Sequence, residues 1–228
     1  MSSAHYTPPV NPLPPVVVAL VLFIMGIELA FMAGSRGLIG GLAAVGWRSA
    51  AIESYSFYTS QFDWMLQTGE WRLEYLKRLV TYPFVNYTFT RALFVCVFVL
   101  ALGKLVAEVF GSLPMLLVFV LSGVGGALIF GLLLGSGAQL VGGFPCVYGL
   151  IGAFTWLLWR KLSLVGENQA RAFQLIAVLM GIQFLFRLLF GGAPDWVADL
   201  GGFATGFGLS FLLAPGGWAR IVSRIRRE

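Results

Sequence analysis

Six apolar runs constrain what this chain can fold into more than any other feature. They cover residues 16–33, 89–110, 114–134, 143–159, 172–190 and 196–213. Each has roughly the 17–25 residues that an α-helix needs to cross the hydrocarbon core of a bilayer. A helix satisfies its own backbone hydrogen bonds, so such runs are stable in lipid. The sequence therefore predicts an all-α membrane protein, a bundle of six transmembrane helices in one domain.

The composition indicates the same class and excludes others. Hydrophobic residues make up 58% of the 228 residues, charged residues only 11%, and the mean hydropathy is +0.86. A water-soluble domain needs more polar surface than this. The net charge of +5 is small. The sequence has no basic stripe interleaved with aromatic residues, which is the pattern that would predict nucleic-acid binding. We expect the lipid bilayer to surround most of the chain.

Polar segments divide the chain into three parts. Residues 1–15 form a Pro-rich tail, residues 16–214 form the membrane domain, and residues 215–228 form a basic tail. Within the membrane domain, residues 34–88 form a long first loop, and a loop of this length is typically functional or packed on the membrane surface. No cleavable signal pattern is recognisable, which favours a bacterial inner membrane.

The distribution of Lys and Arg predicts the orientation of the bundle, because short cytoplasmic loops are enriched in these residues. Eight basic residues, in three regions outside the long loop, fall on one side of the membrane if the N-terminus is cytoplasmic. They are Lys104, Arg160, Lys161, Arg171, Arg220, Arg224, Arg226 and Arg227. The basic residues of the long loop oppose this orientation, but long loops count less in the rule. We therefore expect both termini in the cytoplasm.

Two short motifs carry a family resemblance. Residues 142–152 read GGFPCVYGLIG, which resembles the Gly-x-Ser turn and following Val-Tyr-Gly-Leu-x-Gly helix of rhomboid intramembrane proteases. Residues 197–206 read VADLGGFATG, which resembles the base helix of that family, Ala-His-x-Gly-Gly-x-x-x-Gly. Residues 78–84, RLVTYPF, resemble the segment before the second rhomboid span. The resemblance extends over residues 77–213 and implies a rhomboid-like six-helix bundle.

The positions that carry the chemistry in rhomboids hold other residues here. The resemblance places Phe144, or Pro145 after a one-residue shift, at the serine nucleophile and Asp199 at the histidine base. At the positions that serve the oxyanion site stand Asn86, Arg91 and Val95. Peptide hydrolysis needs an activated nucleophile, a base within hydrogen-bond reach and oxyanion donors. The resemblance therefore implies a pseudoprotease, a family member that is not an enzyme.

Residual catalysis would need other groups. Cys146 is the candidate nucleophile near the first motif, but a buried thiol is inert and Asp199 is a poor base for it. The single histidine, His5, lies in the N-terminal tail, and neither Cys96 nor Cys146 belongs to a metal-ligand spacing. We expect no cofactor and no metal.

An ion pair between Arg91 and Asp199 is the main interaction hypothesis. A carboxylate in the membrane interior should be paired, protonated or near water, and this pair would fill the former catalytic cavity. Two alternatives stay open: Arg91 snorkels to the interface, or Arg187 pairs with Asp199. Glu28 and Glu108 are also unusual in lipid. Solvated helix ends would explain them, Glu108 more readily than Glu28.

Small residues predict where the helices pack most closely. Gly149 on the fourth run, and Gly202 and Gly206 on the sixth, belong to small-residue patterns that allow close backbone contact. We interpret them as the interface between these two runs. Pro145 suits the start of a helix, and Phe144 would plug the cavity. The remaining structural candidates are Gly143 and Tyr148.

Three functions remain open. Inactive rhomboid relatives bind membrane clients, so the resemblance implies a protein that binds transmembrane segments and modulates their assembly, stability or turnover. A fixed structural subunit of a larger membrane complex is the alternative, and a residual protease is the third. Aromatic residues of the long loop would offer a docking surface or lie in the interfacial belt. They are Trp47, Tyr55, Phe57, Tyr58, Phe62 and Trp64.

Overall fold

The structure, a computed structural model, describes residues 12–135, 137–191 and 194–214. Most of the predicted N-terminal tail and the whole basic C-terminal tail lie outside these ranges. The elements in chain order are α1 (Pro15–Ser35), α2 (Trp47–Tyr55), β1 (Phe57–Tyr58), α3 (Thr59–Thr68), α4 (Leu73–Leu76), α5 (Arg78–Thr81), α6 (Phe89–Phe98), α7 (Lys104–Phe110), α8 (Ser112–Leu133), β2 (Gln139–Leu140), α9 (Phe144–Leu164), α10 (Gln174–Phe190) and α11 (Trp196–Leu213). A π-helical turn, Val99–Gly103, joins α6 to α7. Short 3₁₀ helices precede α2, α6 and α10.

The apolar runs predicted from the sequence are helical. Among the described residues, five helical segments are long and apolar enough to cross a membrane. They are Pro15–Ser35, Phe89–Phe110, Ser112–Leu133, Gln169–Phe186 and Trp196–Leu213. Helix α9 is more polar at its C-terminal end, where Arg160 and Lys161 lie. The all-α membrane fold is confirmed, whereas the count of six spans and the cytoplasmic termini stay predictions.

Helices α8, α9 and α11 approach one another most closely, and glycine makes the approach possible. A Cβ on Gly126 of α8 would lie 2.6 Å from the carbonyl oxygen of Ala198 on α11. A Cβ on Gly206 would overlap the carbonyl group of Gly149 on α9. In lipid, the hydrophobic effect does not drive helices together. Their association therefore depends on close packing of this kind. The fourth and sixth predicted runs therefore pack on each other through small residues.

The long first loop folds into short helices that pack against the bundle. Strand β1 pairs antiparallel with β2, with Phe57 opposite Leu140. The side chains of Phe57 and Phe62 are buried in a core that includes Leu140 and Phe130. The predicted aromatic docking surface is therefore wrong for these two rings, which stabilise the loop itself. Trp47 and Tyr55 do remain exposed.

Helix α10 is the least embedded of the long helices. Ile176 is buried, but most apolar side chains of this helix face outward. The exposed ones are Leu175, Val178, Ile182, Phe184, Leu185, Phe186, Leu188 and Leu189. A helix that is apolar on its outer face suits contact with lipid or with another membrane helix.

Candidate functional site

A tight turn leads into the motif that resembles the rhomboid nucleophile segment. Gly142 has a φ of +103°, a backbone conformation that side chains with a Cβ rarely adopt. Its amide donates a hydrogen bond of 3.1 Å to the carbonyl oxygen of Tyr82. Helix α9 then begins at Phe144, with Pro145 in the first turn, where a missing amide hydrogen costs nothing. The turn thus places residue 144 at the N-terminal mouth of the helix.

Phe144 places an aromatic ring at the position that the resemblance assigns to the nucleophile. The guanidinium carbon of Arg91 lies 5.6 Å from the centre of this ring and 5.7 Å from the centre of the Tyr87 ring. Such contacts between a cation and aromatic faces are attractive. A phenyl ring has no atom that can attack a carbonyl carbon. The pair of Phe144 and Arg91 therefore occupies the site without supplying a nucleophile.

Two of the positions that the resemblance assigns to the oxyanion site lie against the same turn. A Cβ on Gly143 would lie 2.9 Å from Cγ1 of Val95, and one on Gly142 would lie 3.1 Å from Oδ1 of Asn86. Val95 is fully buried and has no hydrogen to donate. Asn86 is 1% exposed, and neither polar atom of its side chain has a hydrogen-bond partner among the described residues. Of these two positions, Asn86 is the one that carries a polar side chain.

Asp199 is buried on α11, with 2% of its surface exposed. Its Oδ2 accepts a hydrogen bond of 2.9 Å from Nε2 of Gln183 on α10. Its Oδ1 has no hydrogen-bond partner within the described ranges, and the same holds for Oε1 of Gln183. A carboxylate inside a membrane protein is costly unless it is paired or hydrogen-bonded. The Gln183 amide therefore provides a hydrogen bond to one of the two oxygens of the Asp199 carboxyl group.

The predicted ion pair between Arg91 and Asp199 is wrong. Nη2 of Arg91 lies 3.4 Å from Oδ2 of Asp195, which precedes the first residue of α11. Both side chains keep partial exposure, 36% for Arg91 and 24% for Asp195. The charges thus stay near the edge of the bundle, where desolvation costs less than in the interior. Snorkelling describes Arg91 better, and the side chain of Arg187 lies outside the described part of the chain.

The guanidinium of Arg91 affects the pKa values of Asp195 and Tyr87 at this edge of the bundle. Burial raises the pKa of the Asp195 carboxyl above its ordinary value of 3.8, and the guanidinium of Arg91 opposes the rise. Burial and the neighbouring Asp195 carboxylate likewise raise the pKa of Tyr87, again against Arg91. Arg91 therefore favours the ionised form of the Asp195 carboxyl, whereas burial favours its neutral form.

Side chains that could replace the nucleophile are packed between helices. Cys146 is fully buried, and a Cβ on Gly123 of α8 would lie 2.5 Å from its Sγ. Ser122 is also fully buried against Gly149, and its hydroxyl has no hydrogen-bond partner among the described residues. The described ranges contain no histidine. In the same ranges, no group of three or more His, Cys, Asp or Glu side chains could hold a metal ion.

The other candidates taken from the motifs are packing residues. Tyr148 is 4% exposed inside the bundle core. A Cβ on Gly202 would overlap the carbonyl group of Pro145, as one on Gly206 would overlap that of Gly149. These contacts hold α9 against α11 and leave no room for a ligand between the two backbones.

An ion pair supports the site from the long loop. Glu28 of α1 is fully buried, and its two carboxylate oxygens accept hydrogen bonds of 2.7 and 3.2 Å from Arg48 of α2. Nη1 of Arg48 also donates to the carbonyl oxygen of Asn86, at 2.7 Å. Glu28 is therefore not a solvated helix end, because it fixes α1 and the loop to the segment before α6. Glu108 lies 3.8 Å from Lys104 at a partly exposed helix end.

Sequence reasoning missed Gln183, Asp195 and Arg48. Gln183 is a polar residue within an apolar run, which is a usable signal for a buried polar contact. Asp195 stands immediately before an apolar run, where a carboxylate suits the N-terminus of a helix. Arg48 carries no such signal, because its partner lies 20 residues away in a different element.

Comparison with known proteins agrees with the motifs. The Rhomboid domain family matches residues 73–216, which is more than half of the chain. The matched region runs from α4 through α11, and so it includes Phe144, Arg91 and Asp199. Among curated proteins, no match was found. With the family match added to the helical membrane fold and the two motifs, the chain belongs to the rhomboid family.

Proposed function

We propose that this rhomboid-family protein hydrolyses no peptide bond and instead binds transmembrane segments of other proteins in a bacterial inner membrane, thereby modulating their assembly, stability or turnover. The observation that carries the proposal is the presence of Phe144 and Asp199 where the resemblance expects serine and histidine. The Phe144 ring has no nucleophilic atom, and Oδ2 of Asp199 already accepts a hydrogen bond from Gln183.

The surroundings of the site support the same proposal. Arg91 lies over the Phe144 ring and pairs with Asp195, so a large cation and a ring fill space that an attacking group would need. Cys146 and Ser122, two side chains with nucleophilic atoms near the motif, are fully buried. A nucleophile must reach the carbonyl carbon of its substrate.

The exposed apolar face of α10 supports binding. This face offers rings and aliphatic side chains to whatever lies beside it in the membrane, with Phe184 65% exposed and Leu188 74% exposed. Association of membrane helices depends on packing between such surfaces and on hydrogen bonds between helices. A partner helix could therefore dock without any change in the α8–α9–α11 core.

A fixed subunit of a membrane complex is the second candidate. One observation favours it: the start of the long loop exposes an apolar patch of Leu38, Leu42, Val45 and Trp47, with Leu42 95% exposed. Exposed apolar patches of this kind mark interaction or membrane-contact sites.

Recovery of partners from native membranes tests the proposal. The tagged full-length chain is purified in mild detergent, and co-purifying proteins are quantified by mass spectrometry, with the tag alone as control. We expect intact membrane proteins below equal stoichiometry, with peptides recovered from both sides of their transmembrane segments. One partner at equal stoichiometry would indicate a fixed subunit. Partners recovered only as fragments cut in a transmembrane segment would contradict a non-proteolytic role.

A further inference from the structure

A cleft of about 250 Å³ opens between α10 and α11. Met180 and Phe184 line it on α10, and Trp196 and Leu200 line it on α11. Trp196, Leu200 and Phe184 are all exposed, so the cleft opens to the outside of the bundle. The cleft is smaller than sites for drug-sized ligands and suits one or two side chains of a neighbouring helix.

A polar pair stands beside this apolar cleft. Gln183 immediately precedes Phe184, and Asp199 immediately precedes Leu200. The hydrogen bond from Gln183 to Asp199 joins α10 to α11, and each of the two residues adjoins a lining residue in sequence without itself lining the cleft. The pair leaves two buried acceptors, Oδ1 of Asp199 and Oε1 of Gln183, without a partner among the described residues.

The charges at this edge favour a cationic donor. Of the two carboxylates in this part of the bundle, Asp195 has the Arg91 guanidinium at 3.4 Å. Asp199 has the neutral Gln183 amide at 2.9 Å. Two unpartnered acceptors, and a carboxylate with no ion pair among the described residues, are complementary to a group that carries both positive charge and several hydrogens, which is the ammonium of Lys or the guanidinium of Arg.

We propose that the cleft receives a partner's transmembrane helix that carries a Lys or Arg within its apolar stretch. The basic side chain donates to Oδ1 of Asp199 and Oε1 of Gln183, while a neighbouring apolar side chain fills the cleft between Phe184 and Leu200. A basic residue inside a membrane helix is costly in isolation, so pairing relieves both partners. The inference rests on the proposed function and names the feature by which a partner would be recognised.

The loose attachment of α10 fits this role. Its apolar side chains are largely exposed, and the Gln183–Asp199 hydrogen bond ties it to α11. A helix held in this way can shift to admit a side chain without disturbing the glycine contacts between α9 and α11.

Photo-crosslinking with defined peptides tests the inference. The full-length protein carries a photoreactive residue at Leu200 and is reconstituted into phosphatidylcholine vesicles. The probes are two synthetic transmembrane peptides of Leu and Ala, one with a central Lys and one with Leu at that position. A photoreactive residue at Val178, which is exposed on α10 but outside the cleft lining, serves as the control position. We expect the Lys peptide to crosslink roughly tenfold more than the Leu peptide at Leu200, and equally at Val178.

Variants then assign the preference to the polar pair. Asp199→Asn and Gln183→Leu should each reduce crosslinking of the Lys peptide to the level of the Leu peptide. Arg187→Gln should retain the preference, which would exclude an effect of that neighbouring basic residue. Equal crosslinking of both peptides to the unchanged protein, or an undiminished preference in both Asp199→Asn and Gln183→Leu, would overturn the inference.

The outcome is separable from that of the proposed function. If native membranes yield intact partners but the peptides crosslink equally, the basic-residue inference fails and the proposed function stands. If the Lys preference is present but no partner is recovered, the site is real and the proposed function fails.

Discussion

Helices α9 and α11 pack against each other closely, whereas α10 is attached to the bundle more loosely. Along α9 and α11, glycines such as Gly206 let one backbone rest on the carbonyls of the other. Along α10, large side chains such as Phe184 face outward, and Gln183 supplies a hydrogen bond to Asp199. The comparison teaches that the bundle is held by contacts between backbones rather than by the side chains of Phe144 and Asp199.

The largest effect should come from adding a side chain at the tight interface. Gly206→Leu places a side chain where the Gly149 carbonyl stands, whereas Gly208→Leu on the same helix meets nothing within 4 Å. We expect Gly206→Leu to cost more than about 3 kcal/mol, the upper end of usual overpacking penalties, and to prevent recovery of folded protein. Size-exclusion profiles and thermal midpoints in detergent check this. Equal size-exclusion profiles and thermal midpoints for the two variants would show that the α9–α11 interface tolerates an added side chain and is not tightly packed.

Breaking the buried ion pair of the long loop should have the next largest effect. Arg48→Ala leaves the fully buried Glu28 carboxylate without its partner, which costs roughly 3–5 kcal/mol for a buried charge. The control is Arg72→Ala, because Arg72 forms an exposed pair with Glu70 at 3.6 Å. Exposed pairs contribute about 0–1 kcal/mol. Thermal unfolding of both variants in the same detergent measures the difference, and a similar small loss in both would show that Glu28 tolerates isolation.

Removing the hydrogen bond between α10 and α11 should act locally. Gln183→Leu deletes the donor to Asp199, and hydrogen bonds between membrane helices average about 0.6 kcal/mol. We expect little change in the thermal midpoint but faster amide exchange or greater cysteine labelling along α10. Gln174→Leu, at an exposed position of the same helix, is the matched control. Unchanged exchange along α10 would mean that other contacts hold the helix.

The smallest effect should be a pH dependence of the stability that Asp195 contributes. Burial raises the pKa of Asp195, so the folded protein binds a proton more readily than the unfolded chain, whose pKa is near 3.8. The stability due to this group is thus complete below pH 3.8 and is lost as the pH rises through the raised pKa. Arg91→Met removes the opposing cation, so the loss should extend to higher pH. Thermal midpoints across this range, compared with Asp195→Asn, check the sign; the Asn variant should lack this component.

Much of the fold could be predicted from the sequence, because lipid restricts spanning segments to apolar helices of fixed length. The six runs appear as helices, and the glycines of the two motifs lie where the helices approach. The long loop was harder, because Phe57 and Phe62 look like surface aromatics until β1 pairs with β2.

The structure brings Asn86, Val95 and Phe144 together around one turn, with Arg91 over the Phe144 ring. The catalytic and oxyanion roles that the resemblance implies for these positions stay predictions. The motifs did not reveal that Arg91 pairs with Asp195, because the choice between carboxylates one turn apart depends on the depth of each in the bundle. Spacing along the sequence does not encode that depth.

The central claim, binding without hydrolysis, is tested most directly by a cleavage assay in membranes. The purified full-length chain is reconstituted with a reporter transmembrane substrate, and an active rhomboid protease in parallel vesicles serves as the positive control. The account predicts that the substrate stays intact after prolonged incubation while the positive control cleaves it. Cleavage products that grow with time, and that disappear in Cys146→Ala or Ser122→Ala, would contradict it.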